Sequence, residues 1–322
     1  MAESNISNVQ KHLVFAIIVN YNSSHWIKKC IESLRNSDLY IHIVIVDNNS
    51  KDDSIKIIKH TFNDVKIFLL KKNYGFGKAN NIGIQYAINQ GAEYVYLINQ
   101  DAWIKRDTIS TLIKVQKKHE EFGIVSPMHV TAKEDKFDHY FQSYCSPPLC
   151  PDMLPDLYFN RLHELYETRF VNAAHWLITR ECISAVGGFS PSFYHYDEDG
   201  NYVDRVHYHG FKVGLCPHSV AIHDRETREI NSQKVMYSTL LARRINAFSI
   251  ITRKTNFFKN IYSFLNYIFQ TPYYIYKFKS FMPIVYLFKF FSLIPSLVKN
   301  KNITKKRGAN FLDLEISKYQ KD

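Results

Sequence analysis

Long uninterrupted hydrophobic runs are missing from this 322-residue chain: no stretch of 18 residues is free of both charge and proline. A helix crossing a bilayer needs roughly 20 predominantly apolar residues. The nearest approach, residues 281–298, is broken by Pro283, Lys289 and Pro295, so a spanning helix is not the favoured reading. Paired cysteines are missing too. The five present (Cys30, Cys145, Cys150, Cys182 and Cys216) are scattered and odd in number, with no CxxC pair and no histidine at zinc spacing. Free thiols in a reducing compartment are expected. The first apolar run, residues 13–19, is too short for the core of a signal peptide, so the expected location is cytoplasmic. There is no GxGxxG fingerprint and no Walker lysine motif, which argues against dinucleotide and P-loop chemistry. Acidic residues vanish between 230 and 312, where 14 lysines and arginines remain. The net charge of +11 therefore sits in the C-terminal quarter, and its expected partner is a polyanionic surface.

What is present is an alternation of strand and helix. Residues 13–19 ("LVFAIIV") and 41–46 ("IHIVIV") are continuous apolar, β-branched runs, the pattern of strands buried on both faces. Helical spacing over Trp26, Ile27, Cys30, Ile31 and Leu34 separates them. A short strand ("VKIFLL"), a glycine-bearing loop leading into a helix that stops at Gly91, and a fourth strand ("EYVYLI") follow. Such alternation predicts a doubly wound α/β domain with a mostly parallel sheet. In open α/β sheets ligands bind outside the carboxyl ends of strands. Polar residues gather at those ends: Asn20, Tyr21 and Asn22; Asp47 and Asn48; Asn73; and Asn99, Gln100 and Asp101. One such residue is an ordinary turn signal; four sets in succession predict a site.

A second cluster lies in "SFYHYDEDGNYVDR", where Asp197, Glu198 and Asp199 sit consecutively beside Tyr194 and Tyr196. Acidic residues suit a helix's first turn, but three flanked by aromatics exceed what capping needs. A carboxylate against an aromatic wall can serve as a general base.

Six ordered motifs, "VNYN", "VDNNSKDDS", "NYGFGKANNIG", "LINQDA", "NAAHWLITRECISAVGGFSPSFYHYDEDGNYVDR" and "HD" at 223–224, carry a family resemblance over residues 13–245. The chain resembles the inverting nucleotide-sugar glycosyltransferases of family 2 with the GT-A fold, in the branch containing bacterial rhamnosyl- and galactofuranosyltransferases. The resemblance implies a Rossmann-like catalytic domain over residues 1–245, followed by a basic, aromatic helical region over 246–322. It implies that Asn20, Tyr21, Asp47, Asn73, Gly75, Lys78, Asn81, Asn99 and Gln100 lie around the donor, a UDP- or dTDP-linked sugar. Asn99-Gln100-Asp101 stands where the family has Asp-any-Asp, with Asn99 replacing the first Asp. Asp101 and His223 would hold Mg²⁺ or Mn²⁺, the imidazole favouring Mn²⁺ slightly. Asp199 would be the catalytic base, with Glu198 as the fallback. His175, Trp176 and Arg205 would lie near the sugar and acceptor, Trp176 having a simple core role as its alternative.

The expected reaction moves a rhamnose-like, galactofuranose or hexose unit to a lipid-linked glycan in bacterial surface-polysaccharide assembly. Two alternatives stand beside it: a nucleotide-sugar-binding relative weakened by Asn99 and Asn201, and an α/β oxidoreductase. Residues 255–300 mix aromatics with lysine, which predicts interfacial helices on an anionic membrane at the inner face of the cell membrane. A helical subdomain packing on the catalytic domain or on a second copy is the other reading. Nucleic acid is not an expected partner, because its surface would not need so many Phe, Leu and Ile.

Overall fold

Each apolar run becomes a strand whose two faces are covered. The structure, a computed structural model, describes residues 12–225, 232–252 and 257–321. Strand β1 (Val14–Asn20) is buried at every position and pairs in parallel with β2 (Ile41–Asp47) and β4 (Tyr94–Asn99). Phe15, Ile17 and Val19 face one core, which contains Ala79, Ile82 and Ala87 of α3 (Phe76–Asn89). Val14, Ala16 and Ile18 face the other, with Ile27, Ile31 and Leu34 of α1 (Ile27–Arg35). That split is the period-2 geometry of a strand with helices on both sides. Helix α2 (Ser54–Thr61) leads to the edge strand β3 (Lys66–Leu69), parallel to β2.

The second half widens the sheet. In chain order it contributes β5 (Ala102–Ile104), α4 (Thr108–Gln116), β6 (Phe122–Val130), short helices α5 (Phe141–Tyr144) and α6 (Met153–Tyr158), and β7 (Tyr166–Glu167). Strand β8 (His175–Thr179), α7 (Arg180–Val186), α8 (Glu198–Tyr208) and β9 (Lys212–His223) complete it. The order is β3-β2-β1-β4-β8-β6-β9-β5, with β7 also on β9. Strand β8 runs antiparallel to β4 and β6, and β6 and β9 are parallel. The fold is the mostly parallel, helix-flanked α/β sheet that the alternation predicted, in the GT-A form that the resemblance implied.

Register decides where the site is. Asn20 lies opposite Asp47, and Val19 opposite Asn99, so the ends of β1, β2 and β4 reach one edge together. Ala102, just past Asp101, pairs with His223, which brings the end of β9 to the same edge.

The C-terminal region is helical: α9 (Ser232–Ser249), α10 (Phe257–Phe278) and α11 (Met282–Thr304). Helix α11 continues through Pro295. It is the one helix among the described residues long and apolar enough to cross a membrane. Leu241, Ile245, Phe290 and Leu297 form a small core with Phe193 of the catalytic domain. The boundary expected at residue 245 falls inside α9. Beyond α11 the chain returns to the catalytic sheet. Leu312 is buried in its core, the Gln85 side chain bonds Leu314 through both its amide atoms, and Gln320 bridges Leu70 at the edge by β3.

Candidate active site

The donor edge is a net of short polar side chains. Asp47 is buried and accepts from Asn20 Nδ2 (2.8 Å), Ser50 Oγ (2.5 Å) and the Ser50 amide (3.2 Å). Asn20 Nδ2 also lies 3.0 Å from Ser50 Oγ and from Ser54 Oγ, and Ser23 donates to Asn20 Oδ1. These groups satisfy one another, as buried polar groups must. Asn20 and Asp47 therefore shape the loop in this structure, while Tyr21 next to them is left exposed. Gln100 departs from its expected place against the donor. Its amide accepts from the Tyr21 N–H and donates to the Tyr21 carbonyl, tying the end of β1 to the end of β4. Asp52, which no motif singled out, braces the same loop. Burial opposes its charge, but hydrogen bonds from Ser54 and Ser24 hold its carboxyl below the usual range.

The glycine loop is set by side chains clasping backbone. Asn73 Oδ1 accepts from the Gly75 N–H, and Asn48 both donates to the Gly75 carbonyl and accepts from the Tyr74 N–H. Gly75 has φ +86°, and a Cβ there would stand 2.0 Å from the Tyr194 carbonyl oxygen. Only glycine lets the loop before α8 settle over the start of α3. Lys78 does not reach into the donor edge: its ammonium lies 2.8 Å from Tyr319 Oη and 4.2 Å from that ring's centre. Asn81 is turned to the backbone of Phe189. It is buried, and its amide pairs with both the N–H and the carbonyl of Phe189, so it fastens the turn after α7 and not a donor.

Asp101 and His223 come together as expected. Both are buried, with Asp101 Oδ1 3.6 Å from His223 Nε2. Asn99 Nδ2 is 3.3 Å from the same ring nitrogen. The Asp224 N–H donates to the Asp101 carbonyl, and Trp26 Nε1 donates to Asp224 Oδ2, fixing the turn. On the other side of the ring, His223 Nδ1 lies 3.0 Å from Asp138 Oδ2. Burial pushes the Asp138 carboxyl up, but the His223 hydrogen bond and the nearby Arg225 charge leave it below its ordinary value. Asp138 was missed because nothing in residues 131–140 marks it, and Arg225 because it stands just past the last motif, His223-Asp224. Among the described residues no three His, Cys, Asp or Glu side chains converge as a complete metal cage. Two facing ligands, one carboxylate oxygen and one imidazole nitrogen, nevertheless suit a divalent cation that completes its shell with phosphate oxygens and water.

Helix α8 begins in a turn with two consecutive non-glycine residues in the left-handed region, Tyr196 (φ +74°) and Asp197 (φ +60°). Such a conformation costs roughly 1–2 kcal/mol per residue, and strain of this kind gathers at functional sites. It aims two carboxylates differently. Glu198 is buried beside Gly77, and its Oε2 has no hydrogen-bond partner among the described residues. Asp199 is half-buried and accepts from the backbone of Gly200 and Ala173. Because the Ala174 carbonyl accepts from the Asn99 N–H, Asp199 sits one peptide away from the end of β4. Burial pushes Glu198 up, with the Asp199 charge adding to it; burial pushes Asp199 up less, because backbone donors oppose it. The helix dipole favours the anions, yet burial prevails for both.

The three residues expected near the acceptor are core residues. His175 is fully buried, with Nδ1 on Tyr96 Oη (2.9 Å) and Nε2 on the Ile222 carbonyl (3.1 Å). Burial, then the neighbouring His223, lowers its pKa to about 3, so it stays neutral. Trp176 is buried against Phe189 and Tyr202. Arg205 is buried too, donating to the carbonyls of Val186 and Gly188. Both ring nitrogens of His175 are bonded inside the fold, whereas Trp176 Nε1 and Arg205 Nε have no hydrogen-bond partner among the described residues.

The profile of the family described as "Glycosyl transferase family 2" matches residues 15–184. The glycosyltransferase SunS of Bacillus subtilis (strain 168) is 36% identical over 34% of this chain, a match that takes in only 26% of SunS. Rhamnosyltransferase WbbL of Escherichia coli (strain K12) is 25% identical over 66% of this chain and 83% of its own length. Among solved structures, the mannosyltransferase PcManGT of Pyrobaculum calidifontis, in complex with GDP-Man and Mn²⁺, aligns with a TM-score of 0.51. It is 15% identical over 92% of this chain and 74% of that one, a likeness of fold.

Proposed function

The chain belongs to glycosyl transferase family 2, and from that premise we propose that it moves a hexose or deoxyhexose from a nucleoside diphosphate, UDP or dTDP, to a hydroxyl of a lipid-linked glycan with inversion. The observation that carries this reading is the placement of Asp199, a half-buried carboxylate one peptide from the strand end that bears Asp101. Membership in the family sets aside the oxidoreductase alternative. WbbL, a rhamnosyltransferase, supports a deoxyhexose donor.

Asp101 and His223 would hold a divalent Mg²⁺ or Mn²⁺; PcManGT, similar in fold, is a complex with GDP-Man and Mn²⁺. Bound there, the cation would neutralise negative charge developing on the departing diphosphate. Asp199 takes the proton of the acceptor hydroxyl as that oxygen attacks the anomeric carbon from the face opposite the leaving group. The bond to the new oxygen forms as the bond to phosphate breaks, so the configuration inverts once. Asn73 and Asn48 hold the Gly75 backbone in the shape that lets a donor approach closely. Glu198, the more strongly raised of the two carboxylates, stays protonated and adds no second negative charge beside the base.

The acceptor's lipid anchor puts the enzyme at a membrane. The hairpin of α10 and α11 presents exposed apolar stripes, Leu265, Phe269, Tyr273 and Tyr276 on one helix and Phe281, Val285 and Phe288 on the other. No acid lies within residues 230–312, so an anionic bilayer complements the surface in charge as well as polarity. Retention on anionic vesicles in high salt, with release by detergent, supports buried aromatics; a concentration-dependent dimer without vesicle binding replaces the membrane by a second copy. The transferase reading itself is tested by incubating the protein with a panel of nucleotide sugars and Mg²⁺ or Mn²⁺. Release of nucleoside diphosphate that stops with chelator supports it. Tight nucleotide binding without any release would mark a weakened binding homologue instead.

A further inference from the structure

The loop that delivers Asp199 is pinned by two phenylalanines that enter different cores. Phe189 is fully buried in the core of the sheet, its ring centre 5.9 Å from Phe76 and 6.2 Å from Trp176, and its N–H donates to Asn81 Oδ1. Phe193 turns the other way. It is 4% exposed and packs with Leu241 and Ile245 of α9 and with Phe290 and Leu297 of α11. Beside it, Ser192 Oγ accepts from Asn300 Nδ2 of α11 at 2.9 Å. Tyr194 then lays its carbonyl over Gly75, and Tyr196 and Asp197 take their left-handed conformations.

Left-handed residues in succession persist only where their surroundings over-determine them. The helix does not supply that restraint: Asp197, its N-cap, makes no side-chain bond to the first turn of α8. The far part of α8 is fastened separately. The Asp204 carboxylate accepts from the Ile251 N–H (2.8 Å) and from the Thr252 hydroxyl, and His209 Nε2 lies 2.9 Å from the Thr304 carbonyl. Phe193 and Ser192 do the same for the start of α8. Burying a phenyl ring is worth about as much as two left-handed residues cost, so the seat of Phe193 offsets the strain of the turn. Helix α9 also closes on the residue after the base, where a Cβ on Gly200 would stand 3.2 Å from Asn246 Nδ2. Only residues 194–198 lie between the seat and Asp199, which leaves the carboxylate little slack.

We infer that Phe193 is a positioning residue for Asp199: seated between α9 and α11, it holds the strained turn that aims the catalytic carboxylate, so the C-terminal helices complete the active site. The inference rests on Asp199 as the base and adds a residue whose ring is buried among helices, not at the donor edge. Misplacing a reacting group by about 1 Å can cost about 10²-fold in rate, while the nucleotide meets an edge built by β1, β2 and β4. An empty seat also admits water to the turn. Burial is what raises the Asp199 carboxyl, so a loosened turn lowers it.

The experiment compares the full chain with its Phe193→Ala, Phe193→Leu, Asn300→Ala, Asp204→Ala and Asp199→Asn variants. Turnover is read as nucleoside diphosphate release from the panel of nucleotide sugars, and affinity by calorimetry with UDP and dTDP. The Asp199 carboxyl is followed by its ¹³C shift against pH, assigned with Asp199→Asn. Phe193→Ala is expected to lose about 10–100-fold in kcat, with nucleotide affinity within about threefold of wild type. Its Asp199 titration should move to lower pH from about 6. Phe193→Leu, which refills most of the seat, should recover most of the loss. Asp204→Ala frees the far part of α8, so it should lower the melting temperature and leave turnover and titration unchanged. That contrast separates positioning from stability. Folded Phe193→Ala with turnover within about twofold of wild type and an unmoved titration would overturn the inference. If Phe193→Ala does not fold, Asn300→Ala decides. A kcat loss of about fivefold, the equivalent of one hydrogen bond, with a lowered titration supports the inference, and wild-type values overturn it. Asp199→Asn tells the two failures apart. Full activity there removes the base and this inference with it; inactivity there beside a fully active Phe193→Ala removes the inference alone.

Discussion

Two sets of buried polar side chains occupy this molecule, and they look alike until their partners are counted. His175 and Asn81 have their polar atoms spent on backbone groups and Tyr96 Oη, and Arg205 spends both terminal nitrogens on carbonyls while its Nε has no hydrogen-bond partner among the described residues. Asp101 and His223 face each other across 3.6 Å, Glu198 keeps a buried oxygen without a hydrogen-bond partner among the described residues, and Asp199 is half-buried with backbone donors alone. On the proposed reading the first set builds the scaffold and the second meets the ligand. A buried group used by the fold has nothing left for chemistry, so how an atom is satisfied separates the two roles better than residue type or burial does.

The contrast is broken most easily at Asp199. A positioned general base contributes about 10²–10⁴-fold to rate. Asp199→Asn is expected to lose transfer on that scale, with nucleotide affinity within about threefold of wild type by calorimetry. Equal losses of turnover and affinity would move Asp199 into the scaffold set. The pH profile gives the same assignment a sign. Burial, followed by the opposing backbone donors and the added charge of Asp197, raises the Asp199 carboxyl to about 6. A base must be deprotonated to act, so transfer is expected to fall as pH drops through that value, and the acid limb should vanish from the residual activity of Asp199→Asn.

Arg205 should behave in the opposite way. Arg205→Met keeps the apolar stem but leaves the Val186 and Gly188 carbonyls without their donor. Each unmet buried acceptor costs about 1–3 kcal/mol, and relief of burying a cation offsets part of it. A loss of about 2 kcal/mol in urea unfolding is expected, with donor affinity unchanged in the folded protein. A folded, stable Arg205→Met that no longer recognises acceptor would return Arg205 to the acceptor site.

These assignments show which parts of the molecule local sequence carries. The strands were legible because burial on both faces leaves a continuous β-branched run, and the site's edge was legible because strands of one sheet end together. Asp101 and His223 were found through that edge and the family motifs. Gln100, Asn81, His175 and Arg205 were misplaced because a motif names a residue and not the direction of its side chain. Gln100 turns back to the Tyr21 backbone, and Asn81 to Phe189. Asp138 had no signal at all: it lies in an irregular segment 85 positions before the ring it faces, and the meeting of β6 with β9 brings them together.

Glu198 sharpens the comparison further, because it belongs to the second set without being its working base. Burial and the neighbouring Asp199 charge raise it to about 8, so it is protonated at neutral pH. Glu198→Gln is then nearly isosteric and equal in charge, and transfer at pH 7 is expected to stay within about fivefold of wild type, far from the scale of a lost base. Above pH 8 the variant should outlast wild type, which acquires a second negative charge beside Asp199. A Glu198→Gln enzyme as inactive as Asp199→Asn would exchange the two roles.

The smallest expected effect tests a residue on the border between the sets. Lys78 comes from the donor loop, but its ammonium is held by Tyr319 from the far end of the chain, while Tyr74 packs edge-on to the same ring at 5.2 Å. The Tyr319 carbonyl accepts from the Lys71 N–H, and the Lys321 N–H donates to the Leu69 carbonyl, so the tail is anchored independently of the phenol. Tyr319→Phe therefore removes one hydrogen bond and keeps the ring beneath the cation. The net value of such a bond is about 1 kcal/mol, and the cation–π contact that remains is worth about as much at a half-exposed site. If Lys78 serves the fold as Asn81 does, Tyr319→Phe should change stability slightly and leave KM for the donor alone. If Lys78 swings from Tyr319 to a donor phosphate, freeing it should lower donor KM by up to about fivefold, the equivalent of that one bond. A KM that falls while the melting temperature barely moves would place Lys78 with Asp101 and His223, on the side of the ligand.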